Sequence, residues 1–167
     1  IIRALKKSPK AETIYALPGN GGIAADAICV EGSATDIDRV VSFSKDNGID
    51  FVVVAPDNPL VLGMVDALNE AGIATFGPRA NAAILEGSKV FSKNLMKKYG
   101  IPTARYETFD DAHAAVAYIE KMNEYPVVIK ADGLALGKGV IIAQNFAEAQ
   151  DAVKSIMEDK AFGASGN

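Results

Sequence analysis

The apolar run at residues 49–55 (IDFVVVA) constrains the fold of this chain more than any other feature. It is nearly continuous in apolar character, which is typical of a parallel strand that is covered on both faces. Similar β-branched runs lie at residues 12–17, 27–30 and 73–76. They are separated by helix-like segments at residues 36–46 and 60–71. This alternation predicts an α/β lobe of βαβ type, with helices on both sides of a parallel sheet.

The second half of the chain has a different order of predicted elements. A helix from Ser88 through Tyr99, stopped at Gly100, is expected to link two lobes. A small α+β unit then follows, with strands at 106–109, 127–131 and 140–143 and helices at 110–123 and 146–159. The sequence therefore predicts an N-terminal lobe at 1–82, a linking helix at 83–104 and a small lobe at 105–167.

Composition excludes several classes of protein. The chain is 49% hydrophobic and 23% charged, with a formal charge of −4 and no clustered basic face, so nucleic acid is not expected as a partner. No apolar run approaches the roughly 20 residues that span a bilayer, and a membrane partner is not expected either. Cys29 is the sole cysteine and lies in an apolar stretch, which predicts a small buried side chain and a reducing, cytoplasmic setting.

Lys130 is a charge in an otherwise apolar strand. The alternation of a strand places Val127, Ile129 and Ala131 on one face, and Val128 with Lys130 on the other. An unpaired buried ammonium is costly, so this lysine either reaches solvent at the edge or binds an anion. A phosphate group is an anion that would satisfy it.

A glycine-rich loop follows Lys130 directly. Its glycines, with Lys138 among them, allow backbone N–H groups to approach an anion closely: Gly133, Gly137 and Gly139. The loop is not a Walker A motif, because three residues separate Gly133 from Gly137 and a strand follows instead of a helix. The alternative is a plain β-hairpin loop with an exposed lysine.

A second group of cations lies on the predicted linking helix. Lys89, Lys93 and Lys97 recur every four residues, on a face that the sequence places opposite the apolar stripe of Phe91 and Leu95. Such a row is either a solvated helix face or a source of cations for a ligand. The spacing alone leaves both alternatives open.

Two further loops lie where ligands bind to open α/β sheets, at the carboxyl ends of parallel strands. They are PGNGG at residues 18–22 and PDNPL at residues 56–60, and ordinary turn chemistry is the alternative for both. His113, the sole histidine, lies in a polar helix start and is expected to be exposed. One Cys and one His assemble neither a Cys/His metal cluster nor a Ser/His/Asp set.

Several segments together resemble one family. ALPGNGGIA, VVVAPDNPLVLGMVDAL, FGPRANAAILEGSKVFSKNLMKKYGIPTA, VVIKADGLALGKGVIIA and KAFG are similar to the phosphoribosylamine–glycine ligases (glycinamide ribonucleotide synthetases) of the ATP-grasp superfamily. The resemblance runs through essentially the whole chain. It implies an α/β fold with a Rossmann-like N-terminal lobe and a small ATP-grasp lobe, truncated at both ends.

The resemblance also implies a reaction and its ligands. The family joins glycine to 5-phosphoribosylamine at the expense of ATP, through an acyl phosphate, in purine biosynthesis. Mg²⁺ or Mn²⁺ is expected with ATP, with protein ligands beyond Asn167 and none in this chain. No catalytic side chain is assigned.

By the same resemblance, the residues expected to bind ATP are Lys89 or Lys93, Lys130, and the loop residues Gly133, Gly137, Lys138 and Gly139, the loop acting as a mobile flap. The residues expected near 5-phosphoribosylamine are Pro18, Gly19, Asn20, Gly21, Asp57 and Pro59. Ala55 and Asp57 replace a glycine and a glutamate of the family pattern, which weakens the second assignment. The rival interpretations are another ATP-grasp ligase or carboxylase, and a fragment that is not catalytic by itself.

Overall fold

The computed structural model describes residues 1–135 and 139–163. The chain divides into two compact units, Ile1–Asn81 and Ala82–Asn167. The first unit contains parallel strand pairs and the second contains an antiparallel pair, so the predicted α/β class is confirmed. Each unit has its own buried apolar cluster.

The first unit alternates short strands with helices, as the sequence predicts. Its elements in chain order are α1 (Ile2–Leu5), β1 (Tyr15–Ala16), a 3-10 turn (Ile23–Ala25), β2 (Ile28–Cys29), α2 (Ile37–Asp46), β3 (Phe51–Val53), α3 (Asp57–Val61), α4 (Met64–Glu70) and β4 (Ala74–Phe76). β1 pairs in parallel with β2, and β3 pairs in parallel with β4. Parallel strands need a long crossover connection, which contains the 3-10 turn between β1 and β2 and the helices α3 and α4 between β3 and β4.

The core of the first unit forms around α4. Val54, Met64, Val65, Leu68 and Ile73 are buried together, and the apolar side of α2 packs against them. The Asp36 side chain begins α2 by accepting a hydrogen bond from the Arg39 backbone N–H at 3.0 Å. Burial of these apolar side chains stabilises the packing of α2 and α4 against the β3–β4 pair.

Two expectations for this unit are wrong. Phe51 is 54% exposed and Phe76 is 66% exposed, so one face of the β3–β4 pair is uncovered rather than covered on both sides. The helix expected at 60–71 is two helices, because Gly63 adopts φ 91°, a left-handed conformation that interrupts the helical backbone. An apolar run therefore identified the strand correctly but did not show what covers it.

The second unit is a helix-backed hairpin. Its elements are α5 (Ala80–Gly87, which begins in the first unit), α6 (Lys89–Tyr99), α7 (Ala112–Met122), β5 (Val127–Lys130), β6 (Val140–Ala143), α8 (Phe146–Val153) and a π-helical turn (Lys154–Glu158). β5 and β6 pair antiparallel. α7 and α8 bury the inner face of the hairpin in a cluster that includes Ala115, Ile119, Ala143 and Val153.

The strand predicted at 106–109 is absent from the described part of this unit. Residues 101–109 run without regular secondary structure, because no neighbouring strand supplies a hydrogen-bonded ladder for them. Phe109 instead packs beside the buried cluster, with its ring 5.2 Å from that of Tyr118. Its apolar character reflects burial and not strand pairing.

The α6 helix turns two of its four lysines inward and its aromatic side chains outward. Phe91 and Tyr99 are exposed, whereas Lys89 and Lys93 are half-buried. Of the two alternatives for this lysine row, a solvated face therefore does not describe Lys89 and Lys93, whereas Lys97 is exposed. Their ammonium groups donate hydrogen bonds within the second unit, Lys89 to the Gly133 carbonyl and Lys93 to the Thr103 hydroxyl.

Substitution of Gly77 tests the packing between the end of β4 and the helices α3 and α4. Its φ is 149°, and a Cβ there would lie 2.9 Å from Leu60 Cδ2 and 3.0 Å from Val65 Cγ2. We expect Gly77→Ala to lower the free energy of unfolding by roughly 2 to 4 kcal/mol, from backbone strain and overpacking together. Gly72→Ala is the matched control, since Gly72 has φ 79° but open space around it, and about 1 kcal/mol is expected.

Urea unfolding of the two variants measures the difference. Equal losses for Gly77→Ala and Gly72→Ala would show that only the backbone conformation matters and that the contacts with Leu60 and Val65 do not.

Candidate functional site

The β5–β6 hairpin presents an open face with one cation. The register pairs Val128 with Ile142 and Lys130 with Val140, so these four side chains share one side. Val128 is 49% exposed and Ile142 is 59% exposed, and Lys130 and Val140 are also exposed. We call these four residues the open hairpin face. It offers an apolar surface beside the solvent-exposed ammonium group of Lys130.

The glycine loop begins at the end of this face. The Ala131 N–H donates to the Gly139 carbonyl at 2.8 Å, which closes the base of the loop. Gly133 has φ 80°, a left-handed conformation that favours glycine. A Cβ on Gly139 would lie 2.7 Å from the Ala135 Cβ, so that position has no room for a side chain. Gly137 and Lys138, which the sequence also assigned to the site, lie outside the described residues.

Asp132 binds the N-terminus of α6. Its carboxylate accepts hydrogen bonds from the Lys89 N–H at 2.6 Å, the Val90 N–H at 3.1 Å and the Ser88 hydroxyl at 2.9 Å. Ser88 also caps the helix, since its Oγ accepts from the Phe91 N–H at 3.0 Å. The positive end of the helix dipole is thus matched by a carboxylate from the glycine loop.

These contacts shift the ionisation of Asp132. Partial burial opposes the charged form, but hydrogen bonds from Val90, Ser88, Gly133 and Lys89 outweigh it and hold the pKa below the ordinary value of 3.8. The carboxylate is therefore ionised throughout the neutral range.

The two half-buried lysines of α6 have different partners. Lys89 Nζ donates to the Gly133 carbonyl at 2.8 Å, so its ammonium lies against the glycine loop. Lys93 Nζ donates to Thr103 Oγ1 at 2.6 Å and lies 5.2 Å from the centre of the Tyr106 ring. The structure brings Lys89 to the loop and holds Lys93 to the segment after α6.

The PGNGG loop of the first unit is closely packed. A Cβ on Gly19 would lie 2.0 Å from Cys29 Sγ, so this glycine is required for the approach of β2. Asn20 Oδ1 accepts from the Ile23 N–H at 2.9 Å and begins the 3-10 turn. Pro18 follows a cis peptide bond, and Gly21 has open space around it. Cys29 is exposed, so the expectation that it is buried is wrong.

The other predicted loop residues of the first unit serve the start of α3. Asp57 Oδ1 accepts from the Asn58 N–H at 2.8 Å, and Pro59 is buried within the helix. No hydrogen bond joins this loop to the PGNGG loop among the described residues. His113 is exposed at the start of α7, as the sequence predicts.

The sequence did not single out the contact between Asp132 and α6. Ser88 was recognised as a helix start and Asp132 as a loop residue, but they lie 44 positions apart. Within residues 1–135 and 139–163, no group of three or more His, Cys, Asp or Glu side chains is arranged to hold a metal ion. No helix in the same ranges is both long and apolar enough to cross a membrane.

The ionisation of Asp132 gives a testable pH dependence. Because its folded pKa is lowered, its stabilising contribution is complete above the unfolded value of about 3.9 and is lost as the pH falls through the folded pKa. We expect the difference in unfolding free energy between the wild-type chain and Asp132→Asn to be constant near neutrality and to shrink below about pH 4. Urea unfolding across that range measures it, and a difference that does not change with pH would contradict the lowered pKa.

Comparison with known proteins identifies the family. The phosphoribosylglycinamide synthetase N domain matches residues 1–86, and the ATP-grasp (A) domain of the same synthetase matches residues 87–167. The chain is 45% identical over 167 residues to the phosphoribosylamine–glycine ligase of Caldanaerobacter subterraneus, covering 100% of this chain and 40% of that protein. It is 48% identical over 169 residues to the chloroplastic enzyme of Arabidopsis thaliana, covering 99% of this chain and 32% of that protein.

A solved structure gives the same result. The phosphoribosylamine–glycine ligase of Thermotoga maritima superposes with a TM-score of 0.71 at 30% sequence identity, over 96% of this chain and 37% of that one. The chain therefore spans about two fifths or less of the length of these relatives. Both family domains match in the expected order, and together they account for every residue from 1 to 167. The chain belongs to the phosphoribosylglycinamide synthetase family.

Proposed function

We propose that this chain binds ATP on the open hairpin face and beneath the glycine loop, as part of an enzyme that joins glycine to 5-phosphoribosylamine. The observation that carries the proposal is the arrangement of Lys130 among Val128, Val140 and Ile142 at the start of that loop. An apolar surface suits a purine base, and an adjacent cation suits its phosphates. The names of the relatives support the choice of substrates.

Lys130 has the position that a phosphate contact requires. It lies at the last residue of β5, on the exposed side, two residues before Asp132. A lysine acts on phosphate as a point charge and needs no fixed fork geometry, so an exposed ammonium at a strand end can follow the ligand. If this segment were a plain hairpin, the solvent exposure of Val128, Val140 and Ile142 around this lysine would have no explanation.

Lys89 is the better candidate for the second cation. Its ammonium already lies 2.8 Å from the Gly133 carbonyl, so it is beside the loop that would cover the phosphates. Lys93 is engaged by Thr103 and Tyr106 and supports the segment after α6. By sequence, the proposed flap comprises Gly133, Gly137, Lys138 and Gly139, and glycine is the residue that gives a backbone most freedom to move.

The chemistry requires positioning and charge stabilisation more than a side-chain nucleophile. The glycine carboxylate attacks the γ-phosphorus of ATP, which releases ADP and forms glycyl phosphate. The amine of 5-phosphoribosylamine then attacks the acyl carbon and displaces phosphate. Lys130 and Lys89 would offset the charge that moves between the phosphates, and the loop would keep water from the acyl phosphate.

Mg²⁺ or Mn²⁺ is implied with ATP, but the described residues offer no group of three ligands for it. We therefore assign no step of the reaction to a metal bound by this part of the chain.

The first unit is proposed to hold 5-phosphoribosylamine. Pro18, Gly19, Asn20 and Gly21 follow β1, and Asp57 and Pro59 follow β3, so both loops lie at carboxyl ends of parallel strands. Gly21 is exposed and a Cβ there would meet open space, which supports the approach of a phosphate to this part of the loop.

We propose a reducing compartment for the protein, which is the cytoplasm in bacteria. The sole cysteine, Cys29, is an exposed free thiol. The name of the Arabidopsis relative places that protein in the chloroplast.

Substitution of the lysines tests the ATP site in the full-length protein. We expect Lys130→Ala and Lys89→Ala each to raise the KM for ATP on the order of tenfold, because each removes a charged phosphate contact. Lys121→Ala is the control, since Lys121 is an exposed cation at the end of α7. Wild-type kinetics in Lys130→Ala would remove it from the site, and a larger effect from Lys93→Ala than from Lys89→Ala would make Lys93 the second cation.

The choice of substrates is tested by ADP formation. We expect ADP to accumulate only when glycine and 5-phosphoribosylamine are both supplied to the full-length protein, since the acyl phosphate is consumed only by the amine. ADP formation with bicarbonate in place of glycine would instead support the carboxylase alternative.

A further inference from the structure

The Asp132 carboxylate joins the two elements from which the proposed ATP-binding cations project. Lys130 ends β5, two residues before Asp132, and Lys89 begins α6, whose backbone Asp132 binds. Three donors from α6 and its cap converge on this side chain: the Ser88 hydroxyl and the Lys89 and Val90 N–H groups, at 2.9, 2.6 and 3.1 Å. The Asp132 carboxylate therefore ties the backbone of Lys89 to the end of the strand that carries Lys130.

A second link runs in the opposite direction across the same junction. Lys89 reaches back from the helix and donates from Nζ to the Gly133 carbonyl at 2.8 Å. The residue that gives its backbone N–H to Asp132 thus also gives its side chain to the next residue of the loop. Asp132 fixes the backbone of Lys89, and this limits where the ammonium can go.

The carboxylate also changes what α6 can bind. The free N–H groups at a helix N-terminus form an anion site. Here Asp132 occupies that site, so a phosphate arriving at the loop meets the ammonium of Lys89 and not the helix N-terminus. The loop after β5 thereby directs phosphate toward the lysine side chains.

We propose that Asp132 is a positioning residue for nucleotide binding, which acts by holding the Lys89 ammonium at the glycine loop at a set distance from Lys130. The inference rests on the proposed ATP site and adds a residue to which neither the family resemblance nor the comparisons assign a role. Asp132 itself does not contact the nucleotide.

The alternative is that Asp132 merely stabilises a helix. Asp111 provides a matched control for it within the same unit, because its carboxylate accepts from the Ala114 N–H at 2.7 Å and begins α7. Asp111 has no hydrogen bond to α6 or the glycine loop among those seen in the described residues. Loss of either carboxylate weakens a helix N-terminus, but only loss of Asp132 releases Lys89.

The experiment measures the dissociation constant for ATP by calorimetry, with the full-length protein and Mg²⁺ in the buffer. We expect Asp132→Asn to weaken ATP binding on the order of tenfold and Asp111→Asn to change it less than about twofold, although both lower the free energy of unfolding. In the Lys89→Ala background, Asp132→Asn is expected to have little further effect on ATP binding, since its influence passes through that side chain. Ser88→Ala is a second variant, which removes one donor to the Asp132 carboxylate and also the cap on the Phe91 N–H. It is expected to weaken ATP binding in the wild-type background and to add little in the Lys89→Ala background.

Each outcome decides the matter. Equal ATP binding by wild type, Asp132→Asn and Asp111→Asn overturns the positioning role while leaving the ATP site intact. Additive effects of Asp132→Asn and Lys89→Ala overturn the link between the two residues. A wild-type protein that binds no ATP contradicts the proposed function, and the inference fails with it. If Asp132→Asn does not fold, Ser88→Ala decides, and unchanged binding in that variant also counts against the proposal.

Discussion

The carboxylate of Asp132 at the N-terminus of α6 is the contact on which the arrangement of the candidate site depends. A helix N-terminus with unpaired N–H groups has no fixed partner of its own, and neither has the end of a strand where a loop begins. Three hydrogen bonds from Ser88, Lys89 and Val90 join them through one ionised group, whose lowered pKa keeps it charged. The rest of the site follows from this junction, because it brings Lys89 to the loop that begins beside Lys130.

The open hairpin face lies beside this junction and is the surface on which the nucleotide is proposed to bind. Within the second unit, α7 and α8 cover the inner side of β5 and β6, while the outer side leaves Val128, Val140 and Ile142 in solvent. Exposure of apolar side chains around a cation has a cost in solvation that a bound nucleotide would remove. Sequence and structural similarity to phosphoribosylamine–glycine ligases places this face in a family whose second domain is named ATP-grasp. The geometry and the family thus support the same proposal from independent observations.

Local patterns predicted local structure well. Ser88 was expected to begin a helix and does, and the alternation in residues 127–131 placed Val128 and Lys130 together on one face. What failed depends on contacts distant in sequence. The pattern of α6 could not show that Lys89 turns inward, since its partner Gly133 lies 44 positions away. Phe109 packs against the buried cluster of the second unit and not in a strand. The exposure of Phe51 depends on what covers the β3–β4 pair, which periodicity does not encode.

ATP is proposed to bind on the open hairpin face, with its phosphates between Lys130 and Lys89. A crystal structure of the full-length protein with a non-hydrolysable ATP analogue tests it most directly. We expect phosphate oxygens within hydrogen-bonding distance of both ammonium groups and the purine base against Val128 and Ile142. A nucleotide bound elsewhere, with Lys130 still in solvent, would contradict it.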